Sequence, residues 1–440
     1  AEITLLLSVT TAAKSFTFFY TINPHTGETA NKTCGPSSVL PKHVMDVFAV
    51  KELASPQSNA YIISTHGDDN VVLYNANTAT ATGGSIHWHS LDESTGVLRT
   101  YRLSGVCRAD EQFTTCASVD IASAVFGADQ ESIASSSAPT IHDTLHSKVV
   151  VMGDDSLLLK YINPHIRVVV TSRKAVGDEA SLLTVNVVDT VSAKIVYRAI
   201  LEDAEGPVHS SIVENNLVVT YWNGKAKRSE LSSISLYEGM IDKHGLGPYG
   251  FSSGKHARLS EAAAQPFSSY THNLPIAMNK TYILPKPVVG VDHTVSARGI
   301  TNKQFVVALD NGQIYLVDRR QIEPRRPINP PLPREKSEGL AQYTPFLFLS
   351  PMHCITYNST VATGRTMDFT AVASQLESTG SVLASGLDMY FTRVRPSQEF
   401  DLLASDFNHP LLLLILVGMA FGTWKLRDMS RNKALRSAWR

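Results

Sequence analysis

The sequence lacks the usual signatures of metal, redox and hydrolytic chemistry. Four cysteines occur in 440 residues and none forms a C-x-x-C pair, so neither a zinc knuckle nor a dithiol redox site is indicated. H-E-x-x-H and G-x-S-x-G are also absent. A formal net charge of −1 gives no overall field that would favour nucleic acid as a partner. The sequence therefore predicts no enzyme, no metal and no cofactor.

Two motifs that do occur are explained better by structure than by chemistry. Gly245–Gly250 matches G-x-G-x-x-G, but no apolar strand precedes it and Pro248 lies inside it, so dinucleotide binding is not indicated. His87 and His89 share one face of a predicted strand, which is half of a metal site. Since no cysteine or acidic residue follows at ligand spacing, a surface strand is the better interpretation.

Short apolar runs rich in Val, Ile, Tyr and Thr alternate with turn residues and predict a mostly β chain. The predicted strands are Glu2–Val9, Phe16–Ile22, Ala60–Thr65, Val71–Tyr74, Val149–Met152, Leu157–Ile162, Arg167–Thr171, Leu182–Val188, Lys194–Leu201, Asn216–Tyr221, Phe305–Leu309 and Gln313–Val317. Long amphipathic helices are not evident before the apolar C-terminal stretch, apart from short candidates such as Ser260–Gln265. Thr21–Gly27, Ser90–Gly96 and Val187–Ala193 each begin a tight turn with Asn or Asp and close it with a small residue. Such hairpins favour a β-propeller, with irregular blade spacing; a β-sandwich is the alternative.

Residues Phe407–Leu426 are the one stretch typical of a membrane span, about 30 Å long as a helix. A buried core helix is the alternative, but the charged flanks favour the span. Before it lie the acidic residues Glu399, Asp401 and Asp406. After it lie Lys425, Arg427, Arg431, Lys433, Arg436 and Arg440. This asymmetry predicts a cytosolic C-terminus and places everything before the span across the membrane.

That orientation has consequences for the rest of the chain. Residues Gln321–Pro333 carry overlapping P-x-x-P spacings, which would attract an SH3 domain in the cytosol. On the other side of the membrane we expect a rigid linker or a surface strap instead. A protein of this topology needs a secretory signal and none precedes Ala1, so we expect a processed chain or a piece of a longer one.

Cysteines and sequons fit the same compartment. Cys107 and Cys116 bracket a short polar loop and either form a disulfide or remain buried thiols, while Cys34 and Cys354 have no evident partner. N-x-S/T sequons at Asn31, Asn279 and Asn358 are candidate glycosylation sites.

The last third of the sequence, and much before it, resembles a known family. Its segments are Gly386–Ser397, Phe400–Leu403, the span and Ala438–Arg440, preceded by Val151–Asp154, Lys160–Pro164, Gly206–His209, Tyr221–Glu230, Leu236–Gly239, Arg298–Thr301, Pro324–Pro327, Tyr357–Asn358 and Leu376–Thr379. In this order they resemble the first and largest subunit of the endoplasmic-reticulum (ER) membrane protein complex. Residues 1–148 contribute only their β pattern.

The resemblance implies a fold, a location and a function. It implies lumenal β-propellers with quinoprotein-like blades and one C-terminal transmembrane helix, this chain matching the C-terminal half. We expect an incomplete lumenal propeller over residues 1–320, a Pro-rich connector over 321–340 and a β-rich juxtamembrane segment over 341–406. The span would cover 407–426 and a basic cytosolic tail 427–440. The family's complex inserts tail-anchored and multipass proteins into the ER membrane, and this subunit would be a non-catalytic scaffold.

Partners follow from the same resemblance: other subunits of the complex, client transmembrane proteins and the lipid bilayer. A receptor with a cargo-binding propeller and an anchored quinoprotein enzyme are the competing classes. Gly418 and Gly422 form a G-x-x-x-G that would let the span pack closely against another helix. The charged residues near the membrane either dock partner domains or form a solvated linker. These are Asp388, Arg393, Arg395, Glu399, Asp401 and Asp406.

Overall fold

The computed structural model is mostly β, with 50% strand and 12% helix, which confirms the predicted class. It describes residues 3–10, 15–22, 38–40, 44–49, 61–65, 70–74, 86–109, 114–127, 131–139, 144–174, 180–241, 268–270, 274–357, 359–398, 400 and 408–438. The chain divides into two compact units, Ala1–Pro396 and Ser397–Arg440.

The described part of the first unit folds into six antiparallel sheets, which we number S1 to S6. S1 contains β1 (Ile3–Thr10), β2 (Ser15–Ile22) and β3 (Ser38–Leu40). S2 contains β4 (Val44–Ala49), β5 (Tyr61–Thr65), β6 (Asn70–Tyr74), β7 (His87–Asp92), β8 (Val97–Ala109) and β9 (Thr114–Val125), in the order β4-β5-β6-β9-β8-β7. S3 contains β10 (Glu131–Ser137), β13 (Ile166–Arg173), β14 (Leu182–Asp189) and β15 (Ile195–Glu202).

S4 has six strands, as S2 does. It contains β11 (Val149–Val151), β12 (Leu157–Lys160), β16 (Ala204–Val213), β17 (Asn216–Asn223), β18 (Arg228–Ile241) and β19 (Ile276–Leu284). Its strand order is β11-β12-β18-β17-β16, and β19 also pairs with β18. S5 contains β20 (Val288–His293), β21 (Gln304–Leu309) and β22 (Ile314–Asp318); S6 contains β23 (Asp368–Ala373), β24 (Gly380–Ser385) and β25 (Met389–Val394). A short helix, α1 (Pro333–Ser337), lies between S5 and S6 in the chain, and the second unit contains α2 (His409–Ala438).

Every strand predicted from the sequence is present, with ends that differ by at most about two residues, the usual uncertainty of strand boundaries. The turns behave as predicted at two of the three sites. Asp92 accepts hydrogen bonds from the backbone N–H of Ser94 at 3.0 Å, and Gly96 adopts a φ of +69°. Asp189 accepts from the backbone N–H of Val191 at 2.8 Å. The turn within Thr21–Gly27 and the helix candidate Ser260–Gln265 lie outside the described residues.

Consecutive sheets pack face to face through buried apolar clusters. Leu98 of S2 packs with Val169 of S3, and Val170 of S3 packs in one cluster with Leu217 and Ile234 of S4. The middle strand of S5 is buried on both faces because its residues alternate between two neighbours. Phe305, Val307 and Leu309 pack towards S4, whereas Val306 and Ala308 pack with Val382 and Ala384 of S6. The core is therefore a series of layers between S2, S3, S4, S5 and S6.

Edge strands of neighbouring sheets lie side by side and are joined by polar groups. The hydroxyls of Ser135 in β10 and Ser210 in β16 are 2.8 Å apart. Ser211 in β16 lies 3.1 Å from Nδ1 of His293 in β20. Between S5 and S6 the backbones approach so closely that a Cβ added to Gly290 would lie 2.1 Å from the carbonyl oxygen of Met367. Glycine at this position is what allows the two sheets to meet.

A buried carboxylate joins segments that are far apart in sequence. Glu214, in the β16–β17 turn with a φ of +54°, has a side chain that is 2% exposed. Its oxygens lie 2.8 Å from Nζ of Lys160, 3.1 Å from Nη1 of Arg319 and 3.8 Å from Nζ of Lys303. They also accept the backbone N–H of His146 at 2.9 Å. The cluster therefore fastens β12, the β16–β17 turn and both ends of the β21–β22 hairpin.

The same cluster determines the charge state of Glu214. Burial alone would raise the pKa of this carboxyl, but the guanidinium of Arg319 and the ammonium of Lys160 outweigh it and lower the pKa from 4.5 to about 2. Burial lowers the pKa of Lys160, and the Glu214 carboxylate opposes that shift. Glu214 is thus ionised throughout the physiological pH range.

A second carboxylate that joins separate segments is that of Glu377, which lies between β23 and β24. Its carboxylate accepts the backbone N–H groups of Arg298 and Ile300, each at 2.7 Å, and of Thr301 at 3.1 Å. Burial would raise the pKa of Glu377, but these three donors lower it below its ordinary value. The β20–β21 loop of S5 is therefore held against the β23–β24 turn of S6.

Cys107 and Cys116 lie opposite each other in the β8–β9 ladder and form a disulfide, with Cα atoms 4.1 Å apart. The structure thus has the first of the two alternatives that the sequence left open. Cys354 is a buried free thiol that packs in the S4–S5 core. Cys34 lies outside the described residues.

We predict that Glu214→Gln lowers the free energy of unfolding by about 3–5 kcal/mol, because it leaves Lys160 and Arg319 buried without their counter-charge. The exposed Glu202→Gln should cost less than about 0.5 kcal/mol. Urea unfolding of the full chain in detergent micelles, followed by tryptophan fluorescence, measures both. Because the folded pKa of Glu214 is depressed, its contribution is complete above about pH 4.5 and is lost towards about pH 2. An unfolding free energy for Glu214→Gln equal to that of the control would contradict the assignment.

We also predict that the paired variant Cys107→Ala and Cys116→Ala lowers the free energy of unfolding by about 2–3 kcal/mol, the value for releasing a loop of roughly ten residues. Arg108→Ala with Thr115→Ala, the neighbouring cross-strand pair, is the matched control and should cost less than about 1 kcal/mol. Equal stability of the oxidised protein and the cysteine-free variant would show that the disulfide does not stabilise the fold.

Candidate functional site

Helix α2 has the length and composition of a membrane span. The segment His409–Leu435 has a mean hydropathy of 1.5 in its most apolar window and is the one such helix among the described residues. Asn408 caps its start, because the side-chain oxygen accepts the backbone N–H of Leu411 at 3.1 Å, and Pro410 occupies the first turn. The predicted apolar C-terminal helix is therefore present, and it begins at His409; Phe407 lies outside the described residues.

The helix continues past the predicted end of the span at Leu426. It runs without a break to Ala438, so that its 30 residues extend for about 45 Å. Arg427, Arg431 and Lys433 lie on this extension, and Lys425 lies at the end of the predicted span; all four are exposed. The segment predicted as a basic tail is thus helical over residues 427–438, and its charges are carried on a rigid continuation of the apolar part.

Gly418 and Gly422 lie one turn apart on the same face of α2. Among the described residues of α2, no side-chain atom lies within 4 Å of a Cβ added at either position. Phe421 and Trp424 lie nearby, with ring centroids 5.8 Å apart. Two glycines in register give the helix a flat strip on which a second helix can approach closely.

The predicted charged positions near the membrane separate in the structure. Asp388 lies in the β24–β25 turn, where its carboxylate accepts the backbone N–H of Met389 at 2.8 Å. Arg393 and Arg395 lie at the other end of β25, about 17 Å away along the strand, and both are exposed. Glu399, Asp401 and Asp406 lie outside the described residues. Arg393 and Arg395 are therefore the pair that can act together.

A feature that the sequence analysis missed is the apolar character of the same strand. Met389 and Phe391 alternate with residues that face the core and are 75% and 67% exposed. The alternation was visible in Asp388–Val394, but both sets of positions carry large side chains, so periodicity could not tell the buried face from the open one.

The Pro-rich connector is packed rather than free. Arg326 is buried and donates to the backbone carbonyls of Gln321, Ala341 and Gln342, which closes the segment into a loop. Residues that follow it are exposed from Ile328 to Pro330.

Two further ion pairs and hydrogen bonds fix the connector to S4. Arg325 pairs with Glu323 at 3.0 Å and with Glu338 at 2.6 Å, and Glu338 in turn accepts the backbone N–H of Gly153 at 2.9 Å. Tyr282 of β19 donates to the carbonyl of Glu323 at 3.2 Å. The connector is thus a strap along S4, held by side chains that the sequence could not pair.

Of the two motifs for which the sequence favoured a structural interpretation, the strand with His87 and His89 lies within the described residues. Nε2 of His89 accepts a hydrogen bond from Arg167 at 3.0 Å. Burial, as the larger cause, and the charge of Arg167, as the second, lower the pKa of His89 to about 3. The ring is therefore neutral, and its Nε2 atom is already hydrogen-bonded. Among the described residues no group of three His, Cys, Asp or Glu side chains could hold a metal ion. The glycines of 245–250 lie outside the described residues.

One of the three sequons lies within the described residues. Asn279 is exposed on β19, opposite Ile234 of β18. Asn31 and Asn358 lie outside the described residues. Asn279 is therefore the candidate glycosylation site whose access to solvent the structure supports.

Comparison with known proteins gives the family. Residues 2–397 match the family model described as ER membrane protein complex subunit 1, second beta-propeller. The chain is 34% identical over 316 residues to ER membrane protein complex subunit 1 of Xenopus laevis, which covers 71% of this chain and 30% of that protein. It is 30% identical over 357 residues to the Gallus gallus protein, which covers 81% and 33%.

A fission-yeast relative, ER membrane protein complex subunit 1 of Schizosaccharomyces pombe, is 25% identical over 304 residues, which covers 68% of this chain and 31% of that protein. The chain spans about a third of the length of these relatives. The six sheets described above are those of a propeller-type domain, as predicted, and the sandwich alternative is wrong. The chain belongs to the family of ER membrane protein complex subunit 1, of which it carries the second β-propeller and a C-terminal apolar helix.

Proposed function

We propose that the chain is a non-catalytic lumenal scaffold and membrane anchor within an ER membrane protein insertase that acts on tail-anchored and multipass clients. The observation that carries the proposal is the combination of family membership with an apolar helix that has the length of a membrane span and carries two glycines one turn apart. A propeller supplies a rigid body with large surfaces, and the helix supplies a fixed point in the bilayer. Both are what a scaffold needs.

The charges on α2 support a single-pass, type I orientation. Lys425, Arg427, Arg431 and Lys433 follow the apolar part, and Asp428 is the one acidic residue among them. Cytosolic flanks of membrane spans carry such an excess of Lys and Arg. Trp424 and Lys425 suit the interface between hydrocarbon and headgroups. The propeller then lies in the ER lumen, where the Cys107–Cys116 disulfide is chemically stable.

The titratable groups of the domain support a structural role. The carboxylate of Glu214 forms ion pairs with Lys160 and Arg319 and accepts a hydrogen bond from a backbone N–H group. His89, the histidine with the most depressed pKa, is bonded to Arg167. In these two cases the shifted pKa is explained by burial together with a partner on another segment, which is what a structural role requires.

A physical mechanism follows for the chain's part in insertion. Moving a charged flank across hydrocarbon costs several kcal/mol, and an insertase lowers this cost with a hydrophilic path and a thinned bilayer. In this proposal partner subunits form the path. The α2 helix packs against one of them through Gly418 and Gly422, and the propeller holds their lumenal domains in place. The lipid bilayer contacts the remaining apolar face of the helix.

We predict that Gly418→Leu combined with Gly422→Leu reduces co-purification of the other complex subunits by about tenfold, because two isobutyl groups on the strip remove a contact of about 1.4 kcal/mol. A mild-detergent pull-down of the tagged full-length protein, with subunits quantified by mass spectrometry, measures this. Ala420→Leu, on the opposite face of the helix, is the matched control and should retain wild-type recovery. Unchanged recovery in the double variant would contradict the packing role, and recovery of a single soluble ligand in place of membrane subunits would favour the receptor alternative.

We predict that Arg393→Glu combined with Arg395→Glu reduces both complex assembly and insertion of a tail-anchored client by severalfold, since reversed charges repel the partner surface that these guanidinium groups face. Arg365→Glu with Lys286→Glu, two exposed cations elsewhere on the same unit, is the control and should leave both readouts unchanged. Wild-type assembly and insertion in the test variant would show that Arg393 and Arg395 belong to a solvated linker.

A further inference from the structure

A cavity opens between S4 and S5 at the end where β16 begins. Its volume is about 220 Å³. The stretches Gly206–His209 and Tyr221–Glu230, two of those that carry the family resemblance, supply most of its lining. The cavity is therefore formed by these two stretches together with the start of β20. Its lining residues are Gly206, Pro207, Thr220, Tyr221, Trp222, Ser229, Pro287 and Val288.

An irregularity in β16 creates the space. Glu205 pairs with Trp222 and His209 pairs with Thr220, so that three residues of β16 stand opposite one residue of β17. Such a bulge bends its strand and redirects the side chains on it. Pro207 lies in this bulge, which suits a residue that has no backbone N–H to donate to a neighbouring strand. The bulge forms one wall of the cavity.

Another wall is the face of S4 that is turned towards S5. Val218 and Leu231 on this face pack in one cluster with residues of S5. Thr220 and Trp222 follow Val218 at intervals of two residues, so the three side chains share that face. Ser229 pairs with Trp222 across the β17–β18 ladder and lies on the same face. The start of β20 closes the remaining side.

Most of the lining is apolar. Pro207, Pro287, Val288 and the half-buried Trp222 supply this part of it. Among the described residues none with a charged side chain lines the cavity. An ionised group that entered would lose its hydration without meeting a counter-charge, which is costly. The cavity therefore excludes ions and fits a flat apolar group.

The lining also carries two hydroxyl groups, those of Thr220 and Ser229. The Thr220 hydroxyl donates to the carbonyl of His209 over 3.4 Å, a long hydrogen bond. Within the described part of the chain the Ser229 hydroxyl has no hydrogen-bond partner. A wholly apolar ligand would remove both hydroxyls from water and offer them nothing in return. The lining thus fits a ligand that combines an apolar body with one neutral polar group.

We propose that this cavity receives the tyrosine side chain of a partner protein in the ER lumen. Its 220 Å³ are too few for a cofactor or drug-sized ligand, whose pockets measure about 300–1,000 Å³. A phenol ring packs its flat faces against indole and proline rings, and its hydroxyl both donates and accepts hydrogen bonds. Tyrosine is also enriched at the centres of protein interfaces, within a polar rim. Lys225 and Lys227, exposed in the β17–β18 turn beside Trp222, provide such a rim.

Ligand-observed NMR of the full chain in detergent micelles tests the cavity, with N-acetyltyrosinamide as the probe. It should bind about fivefold more tightly than N-acetylphenylalaninamide, which lacks the hydroxyl, because one neutral hydrogen bond makes a difference of this size. Ser229→Ala with Thr220→Val removes both hydroxyls and should reduce the ratio of the two Kd values to about one. Ser232→Ala with Thr281→Val, a cross-strand hydroxyl pair in the same sheet, is the matched control and should preserve the ratio.

A wall substitution tests the packing of the ring. Trp222→Ala should weaken binding of both amides at least about tenfold, whereas Tyr197→Ala, a half-buried aromatic residue in S3, should change Kd less than about twofold. The buried thiol of Cys354 should stay unreactive towards a maleimide in every variant, which reports that the domain is folded. If Trp222→Ala makes Cys354 reactive, the two hydroxyl-pair variants decide.

Three results would overturn the proposal. Equal affinity of the wild-type chain for the tyrosine and phenylalanine amides would show that the cavity does not recognise a phenol. Absence of binding would exclude it as a site for a single aromatic side chain. Tighter binding of N-acetyltryptophanamide than of N-acetyltyrosinamide would assign the cavity to an indole instead.

A second arm identifies the source of the phenol, and it rests on the proposed scaffold role. In the intact complex recovered by the pull-down a partner's tyrosine fills the cavity, so N-acetyltyrosinamide should bind at least about tenfold more weakly than it binds the chain alone. Equal binding to both would show that the cavity takes a free phenolic molecule and not a partner protein. Recovery of no other subunit would contradict the scaffold role, whereas the affinities of the chain alone test the cavity independently.

Discussion

The arrangement of the central sheets depends on a single buried carboxylate. Glu214 lies in a tight turn with a left-handed backbone conformation, an arrangement that costs free energy for a residue other than glycine. It is stabilised because Lys160, Lys303 and Arg319 converge on the carboxylate from three separate segments. Apolar layers alone would allow neighbouring sheets to slide, since apolar contacts have little directionality. An ion cluster with defined geometry fixes the orientation of S4 relative to the ends of the S5 hairpin.

The same principle operates at the other junctions. Glu377 holds the β20–β21 loop by accepting three backbone N–H groups, and Arg326 donates to one carbonyl at the start of the connector and to two just after its end. In both cases a charged side chain satisfies backbone groups that irregular chain would otherwise bury without partners. The propeller is thus built from apolar layers, and its irregular segments are fastened to those layers by charge-assisted hydrogen bonds.

The sequence predicted those parts of the fold that depend on neighbouring residues. Strands such as Arg167–Thr171 are rich in β-branched residues, and turns that begin with Asp92 or Asp189 are stabilised by their own side chains. Strands such as β10, with the sequence ESIASSS, were missed because serine carries little strand preference. Pairing with β13 and the polar contact with β16 hold β10 in place, and both are properties of the assembled sheets.

The ion clusters could not be predicted for a related reason. Glu214 meets Lys160 and Arg319 across 54 and 105 residues of sequence, and no local pattern pairs residues at such separations. The position of the candidate interaction surface on β25 was predictable from the sequence, but its apolar character was not. Family resemblance and the charge count placed it near Asp388–Arg395, whereas the open apolar positions Met389 and Phe391 emerged only when the register showed which face of β25 is covered.

The distribution of charge within the chain relates this structure to its proposed role. Buried charges in the propeller, such as those of Glu214, Lys160 and Arg319, are paired and hold separate segments together. On α2, by contrast, the described cations are exposed and confined to the part beyond the apolar segment. In the proposed role, the propeller would be a rigid lumenal body, and the two glycines of the helix would favour a fixed contact with another subunit. Such contacts position other proteins without consuming a substrate, which is the physical sense of the scaffold that we propose.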